Sequence, residues 1–256
     1  MKFPTPTRQA LVLLLASSLA VVAGTRPAAH AADKKDKPKP EEKQAVDSGS
    51  FGVFIKGQRV ATETFRIVQQ NGASTITSQL KGVASSDSQK SELAIGSSGE
   101  LIHYEWSQAS GGSLSVFPEN DFLKEKITPP TGGKAAEQAF LLPSTSPILD
   151  NNFFIHREVL AWKYLNGVCQ AAGSDTKCRQ EAADFGVLVP QDRFSMSVRL
   201  ELAGKEKITV HGVERELLRL NLNGEDLQWN LWVDDHDHFK LIRVAIPADD
   251  TVVDRD

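Results

Sequence analysis

The sequence predicts a mainly β fold, an antiparallel curled sheet or half-barrel of about a dozen strands with one long helix packed in it or across it. Apolar and polar residues alternate over many short segments, and turn signals separate these segments at short spacing. Only one segment has helical periodicity. A sandwich with the helix across one end is the alternative, because both architectures produce alternating strands.

Residues 1–31 have the pattern of a secretory signal peptide. Lys2 and Arg8 carry positive charge, an apolar run extends from Ala10 to Gly24, and Ala29-His30-Ala31 offers the small residues that a signal peptidase requires. The run is shorter than the ~20 apolar residues that span a bilayer. We therefore expect a periplasmic or secreted protein with no transmembrane segment after cleavage. A retained anchor helix and cleavage after Ala23 are the alternatives.

Residues 32–48 form a charged spacer that contains two prolines and residues of both charge signs. This composition buries too little apolar surface to offset the entropy of ordering, so we expect disorder there. Residues 49–256 then form a single β-rich domain. The formal net charge of the chain is −4, and no basic cluster lies in the folded part. Nucleic acid is therefore not an expected partner.

Two groups of alternating strands flank the helical segment. The first begins near Ser50, and its Asn71-Gly72 pair is a strong hairpin signal because both residues tolerate positive φ. The second group follows Asp184 and has the clearest alternation in the chain. Its inward apolar residues could line a ligand pocket together with one helix residue, or could pack as a dry core. These candidates are Trp162, Met196, Val198, Leu200, Leu218, Leu220 and Leu222.

The one helical segment is predicted over residues 152–171. Asp150, Asn151 and Asn152 are favourable N-cap residues. The residues expected on its apolar face are Ile155, Val159, Trp162 and Cys169, and those expected to turn away from the core are Arg157, Glu158 and Lys163.

Three residues at the start of this helix are also candidates for a function. Phe153 and Phe154 could form a lid over an apolar pocket, and ordinary core packing explains them equally well. His156 could line the mouth of a cavity, but we expect it to be partly buried and hydrogen-bonded.

Cys169 and Cys178 are the two cysteines of the chain. An even pair in an oxidising compartment is most simply one disulfide. A redox or metal pair is the alternative, but the C-x-x-C spacing is absent and two thiols underfill a zinc site.

No nucleophile elbow, zinc-protease motif or phosphate-binding glycine loop occurs in the sequence. The densest polar segment, Asp234-Asp235-His236-Asp237-His238, is interpreted as a hairpin turn, with a divalent metal site as the alternative. His103 and Glu105 share a strand face and could act as acid and base, but a solvent-side pair above buried aromatic residues is the favoured interpretation. The acids Glu214, Glu216, Glu225 and Asp226 could supply the two carboxylates of a glycosidase, but an acidic chain contains such pairs by chance. We expect no enzymatic activity and no cofactor.

The segments PSTSPILDNNFFIHREVLAWKYL and LWVDDHDHFKLIRVAIP, within a layout of leader, strands, helix and strands, resemble a family of secreted domains of unknown function. Those domains are similar to the lipoprotein-localisation factors of the Lol type, and the resemblance covers roughly Ser50–Asp256. It implies a half-barrel with an apolar interior that could hold an acyl chain. These factors have no motif of catalytic or ligand residues that transfers to positions in this chain.

The predicted function is a non-enzymatic secreted or periplasmic binding domain for a lipid-like ligand or a lipoprotein. An envelope module that recruits a protein partner through a strand edge or the charged segment is the alternative. A metal-dependent hydrolase is the third hypothesis.

Overall fold

Strands dominate the structure, a computed structural model that describes residues 43–84, 87–130, 133–172 and 175–256. These residues contain sixteen strands, one α-helix and one short 3-10 helix. The helices are α1 (Ile155–Val168) and η1 (Pro190–Asp192). The strands are β1 (Gln44–Ile55), β2 (Gln58–Gln70), β3 (Ala73–Gly82), β4 (Ser88–Ile95), β5 (Leu101–Gln108), β6 (Ser113–Glu119), β7 (Phe122–Thr128), β8 (Ala136–Phe140), β9 (Cys169–Ala172), β10 (Asp175–Cys178), β11 (Ala183–Val189), β12 (Phe194–Val210), β13 (Val213–Asn223), β14 (Gln228–Asp234), β15 (Lys240–Ile246) and β16 (Thr251–Arg255).

Fourteen strands form one curled antiparallel sheet that is not closed, which confirms the predicted mainly β class and the curled sheet. Its order is β11-β12-β13-β14-β15-β16-β1-β2-β3-β4-β5-β6-β7-β8, so β11 and β8 are the two edges. The pairing of β1 with β16 joins the two predicted strand groups. The groups therefore belong to one sheet and are not the two separate sheets of a sandwich.

The hairpins follow the turn signals of the sequence. Asn71 has φ of 52° and Gly72 has φ of 76°, and together they connect β2 to β3. Both angles lie in the left-handed region, which asparagine and glycine enter at least cost. The predicted hairpin is confirmed.

The helix α1 begins and ends inside the predicted limits. Residues 152–154 precede it, and the chain after Val168 forms strand β9 rather than a further helical turn. Its N-cap, Phe154, provides no side-chain cap, so the predicted capping by Asp150, Asn151 or Asn152 is wrong. No helix in the described ranges is long and apolar enough to cross a membrane.

The first turn of α1 is enclosed by protein on all sides. His156, Arg157 and Glu158 are each fully buried. Successive helical residues point about 100° apart, so burial of three in a row requires protein around most of the helix. The expectation that Arg157 and Glu158 turn away from the core is therefore wrong. The curled sheet surrounds this turn, and both side chains meet polar partners inside it.

The hydrophobic core unites α1 with strands from both groups. Across β12 and β13, Leu200 lies opposite Leu222 and Leu202 opposite Leu220, and all four side chains are buried. Full burial of one leucine side chain stabilises the fold by roughly 1.5–3 kcal/mol. The period-two alternation of the sequence thus forms the inner face of the sheet.

The folded domain starts earlier than the predicted boundary at residue 49. Strand β1 begins at Gln44, so residues 44–48 of the predicted spacer belong to the sheet. Asp47 is buried there and forms an ion pair with Arg255 of β16, which compensates the buried charge. The predicted signal peptide and spacer residues 32–42 lie outside the described residues.

Cys169 and Cys178 form the predicted disulfide, which is confirmed. They lie opposite each other in the small separate sheet of β9 and β10, directly after α1. The bond therefore holds the end of the helix in a short hairpin.

Candidate ligand-binding site

The predicted pocket residues do not share one cavity. Five of them pack together on the inner face of β12 and β13 as buried core residues: Val198, Leu200, Leu218, Leu220 and Leu222. Trp162 and Met196 are only partly buried, and each borders a different cavity.

The cavity that Trp162 borders lies between α1 and strands β3, β4 and β5, and we call it the helix cavity. Its volume is about 380 Å³. Six apolar residues contribute to its lining: Leu93, Ile95, Leu101, Ile148, Val159 and Trp162. The polar part of its lining includes Gln69, Ser74, Ser98, Lys163 and Asn166.

Helical spacing places one face of α1 in this cavity. Val159, Trp162, Lys163 and Asn166 occupy positions i, i+3, i+4 and i+7. The indole nitrogen of Trp162 donates a hydrogen bond to the Phe239 carbonyl at 3.0 Å. This bond satisfies the polar atom of the indole and fixes the position of the ring.

The only basic residue of the cavity lining, among the described residues, is Lys163. Its side chain is half-buried, and burial lowers the pKa of its ammonium group. The ammonium donates to the Thr145 carbonyl and has no carboxylate partner within ion-pair distance in the described ranges. The helix cavity therefore combines apolar residues with one cation that has no ion-pair partner in the described part of the chain.

The first turn of α1 is capped from the sheet. Glu63 of β2 accepts hydrogen bonds from the backbone nitrogens of Phe154 at 2.6 Å and Ile155 at 3.3 Å. The Ser78 hydroxyl donates to the same carboxylate at 2.7 Å. Burial raises the pKa of Glu63 to about 7 despite these bonds. A residue distant in sequence thus performs the role predicted for residues 150–152.

A second polar group fixes the segment that precedes the helix. The Tyr104 hydroxyl donates to Asp150, and the Gln191 amide donates to Asp150 and, at 3.0 Å, to the Tyr104 oxygen. Asp150 also accepts a hydrogen bond from the Asn152 backbone nitrogen at 2.7 Å. Burial raises the pKa of both Tyr104 and Asp150. This buried network attaches the segment to β5 and η1.

A third polar group joins α1 to the centre of the sheet. Arg255 donates to Glu158 at 3.1 Å and also to Asp47. Burial raises the pKa of Glu158 to about 8, although its carboxylate also accepts from the Leu241 nitrogen at 2.8 Å. Burial therefore favours the neutral acid of Glu158 over its carboxylate.

His156 differs from the expectation of a partly buried, hydrogen-bonded side chain. It is fully buried, and neither ring nitrogen has a hydrogen-bond partner in the described part of the chain. Its ring centroid lies 5.7 Å from that of Tyr104 and 6.1 Å from that of Phe153. Burial lowers the pKa of His156 to about 3, so the imidazole is neutral at physiological pH. Phe153 and Phe154 are themselves buried core residues.

The segment from Asp234 to His238 forms the turn between β14 and β15, as the sequence predicts. Asp234 pairs with Arg215 at 2.6 Å, and Asp235 pairs with Lys205 at 2.9 Å. Among the described residues, no group of three or more His, Cys, Asp or Glu side chains has an arrangement that could hold a metal ion.

The other candidate acid and base residues are dispersed. His103 contacts Glu92 of the neighbouring strand at 3.0 Å, so it has a different partner from the predicted Glu105. Glu214 and Glu216 both lie near the start of β13, and Glu214 pairs with Lys207 at 3.5 Å. The remaining two acids, Glu225 and Asp226, lie in the turn that follows β13, where they border the same cavity as Met196.

Comparisons of the chain with protein-family models, with curated proteins and with solved structures gave no match.

Proposed function

We propose that this protein is an exported, non-enzymatic binding domain that holds a lipid-like ligand in the helix cavity. The observation that carries the proposal is the cavity of about 380 Å³ between α1 and the sheet, with its six apolar lining residues. This volume falls within the roughly 300–1,000 Å³ of typical small-molecule sites. The proposal includes the half-barrel arrangement that the resemblance to the Lol-type factors implies.

The chemistry of the cavity favours an amphiphile with an anionic head group. Leu93, Val159 and Trp162 offer apolar contacts to a hydrocarbon chain. Lys163 lies at the same cavity, and partial desolvation already disfavours its isolated charge. A carboxylate or phosphate beside this ammonium would offset that cost, so a fatty-acid-like anion is the ligand class that we propose.

Export is the second part of the proposal. Residues 1–31 have the composition of a signal peptide, and disulfides persist mainly in oxidising compartments. Together these features support a periplasmic or extracellular location.

Binding of dodecanoate and of neutral dodecanol, measured by calorimetry on the mature protein, tests the ligand assignment. Val159→Trp fills the cavity and is expected to weaken dodecanoate binding at least tenfold. Val213→Trp is the matched control, since Val213 is 60% exposed and outside the cavity. Lys163→Met should weaken dodecanoate binding without weakening dodecanol binding. Absence of dodecanoate binding, or equal affinity in the Val159 and Val213 variants, would reject the proposal.

Native mass spectrometry of protein purified from its own envelope provides an independent test. A reproducible mass excess that matches one lipid or fatty acid, and that disappears in Val159→Trp, supports the proposal. An unliganded mass for the wild-type protein counts against it.

A second candidate function is recruitment of a partner protein at the free edge of β8. Leu141 is 82% exposed and Phe122 is 43% exposed, and they adjoin the paired residues Phe140 and Leu123. An extended segment could add to this edge while its side chains cover these two residues. A photocrosslinker at Leu141 should then capture one protein species in the native envelope. Equal capture by a crosslinker at the exposed control position Val213 would reject this candidate.

A further inference from the structure

The curled sheet has two edge strands, β8 and β11. The short helix η1 follows β11 directly in the chain, and its C-cap residue Arg193 contacts β7 and β8 at the other edge. In the described ranges no ladder of backbone hydrogen bonds joins β8 to β11, so the connection between the two edges depends on contacts of other kinds. We call the contact formed by Glu125, Gln138 and Arg193 the edge latch.

Arg193 makes both contacts of the edge latch. Its Nε atom lies 3.6 Å from a carboxylate oxygen of Glu125 on β7, and its carbonyl accepts a hydrogen bond from the Gln138 side chain of β8 at 3.3 Å. Glu125 and Gln138 lie opposite each other in the pairing of β7 with β8. Arg193 has φ of 57°, a left-handed conformation that is costly for a residue other than glycine and persists where its surroundings hold it.

The carboxylate of Glu125 is the weakly compensated part of the latch. The side chain is fully buried, and neither oxygen has a hydrogen-bond partner in the described part of the chain. Its ion-pair partner is Arg193, whose side chain is 44% exposed. Val116 of β6 and Gln138 of β8, its neighbours across the sheet, are uncharged. Beyond Val116 the row continues to Tyr104 of β5, whose raised pKa keeps the hydroxyl neutral.

Two other buried glutamates of the described chain are held more fully. Glu63 accepts two backbone hydrogen bonds and one from a side chain. Glu158 accepts one from the backbone and one from a side chain. Ionised Glu125 has only the charge of Arg193 to offset its desolvation, and a buried carboxylate without hydrogen bonds is costly. Separation of β7 from η1 would let water reach this carboxylate and remove that cost.

The direction of the pH effect follows from this burial. Burial raises the pKa of Glu125 to about 7, although Arg193 opposes the shift. In an open state that water reaches, the carboxyl group titrates near its ordinary value. A raised carboxyl pKa stabilises the closed latch in acid, and this stability is lost as the pH rises through 7.

We propose that the edge latch is a pH-sensitive device that holds the β7–β8 edge against η1 while Glu125 is protonated and lets this edge open locally once Glu125 is ionised. Arg193 limits the opening, because it supplies the counter-charge of the closed, ionised latch. Opening also frees Arg193 from its left-handed conformation. This behaviour does not depend on the ligand proposed for the helix cavity.

Hydrogen–deuterium exchange of the mature protein at pH 6 and pH 8, corrected for the intrinsic pH dependence of amide exchange, tests the proposal. The difference between the closed and open pKa values corresponds to about tenfold more opening at pH 8 than at pH 6. We expect the amides of β7 and β8 to lose protection by that factor. Amides of the central strand β13 report on global unfolding and should lose less.

Glu125→Gln keeps the size of the side chain and removes its charge. In this variant the protection of β7 and β8 should be the same at both pH values. Glu137→Gln is the matched control, because it removes a carboxylate of β8 that is 50% exposed and should keep the wild-type response. The same pH response in the wild type and in Glu125→Gln would overturn the proposal.

Arg193→Met tests the role of the counter-charge. It should increase opening of the β7–β8 edge at least threefold at pH 8, where Glu125 is ionised, and change it little at pH 6. Added to Glu125→Gln, the same substitution should have no pH-dependent effect. An equal increase at both pH values, or a loss of protection that is as large in β13, would identify a general loss of stability and overturn the latch.

Discussion

Replacement of Glu63 by glutamine should make the protein less stable in acid and more stable above neutral pH. Glu63 is fully buried, and burial raises its pKa from 4.5 to about 7 in the folded protein. In the unfolded chain the same group titrates near its ordinary value. A raised carboxyl pKa contributes stability that is fully present below pH 4.5 and is lost as the pH rises through 7.

The size of the effect follows from this pKa difference and from the hydrogen bonds of the side chain. At about 1.4 kcal/mol per pH unit, the wild-type protein loses about 3 kcal/mol through Glu63 as the pH rises through this window. Glutamine can keep the bond from the Phe154 nitrogen and donate to Ser78 but must give up the 3.3 Å bond from the Ile155 nitrogen. That loss costs about 1 kcal/mol at every pH. The variant should be about 1 kcal/mol less stable in acid and about 2 kcal/mol more stable at pH 8.

Urea unfolding of the wild type and Glu63→Gln between pH 4.5 and 8 measures this difference directly. Glu125 and Glu158, with pKa values raised to about 7 and about 8 by burial, remain in both proteins and cancel in the comparison. Glu214→Gln is the control, because its exposed side chain should leave the pH profile unchanged. Parallel stability profiles for the wild type and Glu63→Gln would refute the reasoning.

Three further perturbations test other parts of the structure. Replacing both Cys169 and Cys178 by serine should lower the free energy of unfolding by roughly 2–3 kcal/mol, because the disulfide closes a loop with a sequence separation of 9; urea midpoints that do not change would contradict a stabilising bond. Leu220→Ala should cost roughly 2–5 kcal/mol through the cavity left in the core, and calorimetry showing under 1 kcal/mol would argue against its full burial. Arg255→Met should destabilise by roughly 3–5 kcal/mol, since it removes the ion pair with buried Asp47 and the hydrogen bond to Glu158. Adding Asp47→Asn should restore part of that loss, and a double variant no more stable than the single one would contradict the pairing.

Local signals account for the features that the sequence predicted correctly. Asn71-Gly72 specifies its own turn through backbone conformation, and alternating apolar residues specify which face of each strand is buried. Cys169 and Cys178 are close in the chain and had no other cysteine to bond. In each case the structure depends on residues within a few positions of one another.

The first turn of α1 shows where such reasoning fails. Arg157 and Glu158 are charged and were assigned to the solvent face, since charged side chains are seldom fully buried. Their burial depends on Glu63, which is 91 residues from Phe154 in sequence, and on the ion pair between Arg255 and Asp47, which are 208 residues apart. No pattern within the helical segment contains these partners.

The cavities that Trp162 and Met196 border also arise from contacts between distant segments of the chain. The apolar residues of the second strand group were expected to line a pocket or to pack as a dry core, and the curled sheet packs Val198, Leu200 and Leu220 against other core residues. Of the seven candidates, Trp162 and Met196 border the cavities described above, and side chains from several elements line each cavity. Alternation predicts that a residue faces inward, but it does not predict whether another side chain or empty space lies opposite.

The sequence by itself determined the mainly β class, the single helix, the main turns and the disulfide, because each depends on backbone conformation or periodicity over short segments. Tertiary structure alone decided that β1 pairs with β16, that the start of the helix lies inside the curled sheet, and that the guanidinium of Arg157 is fully buried with no ion-pair partner among the described residues. These features depend on contacts between distant segments. Their energies are set by desolvation and by partners that come together only once the sheet has curled around the helix.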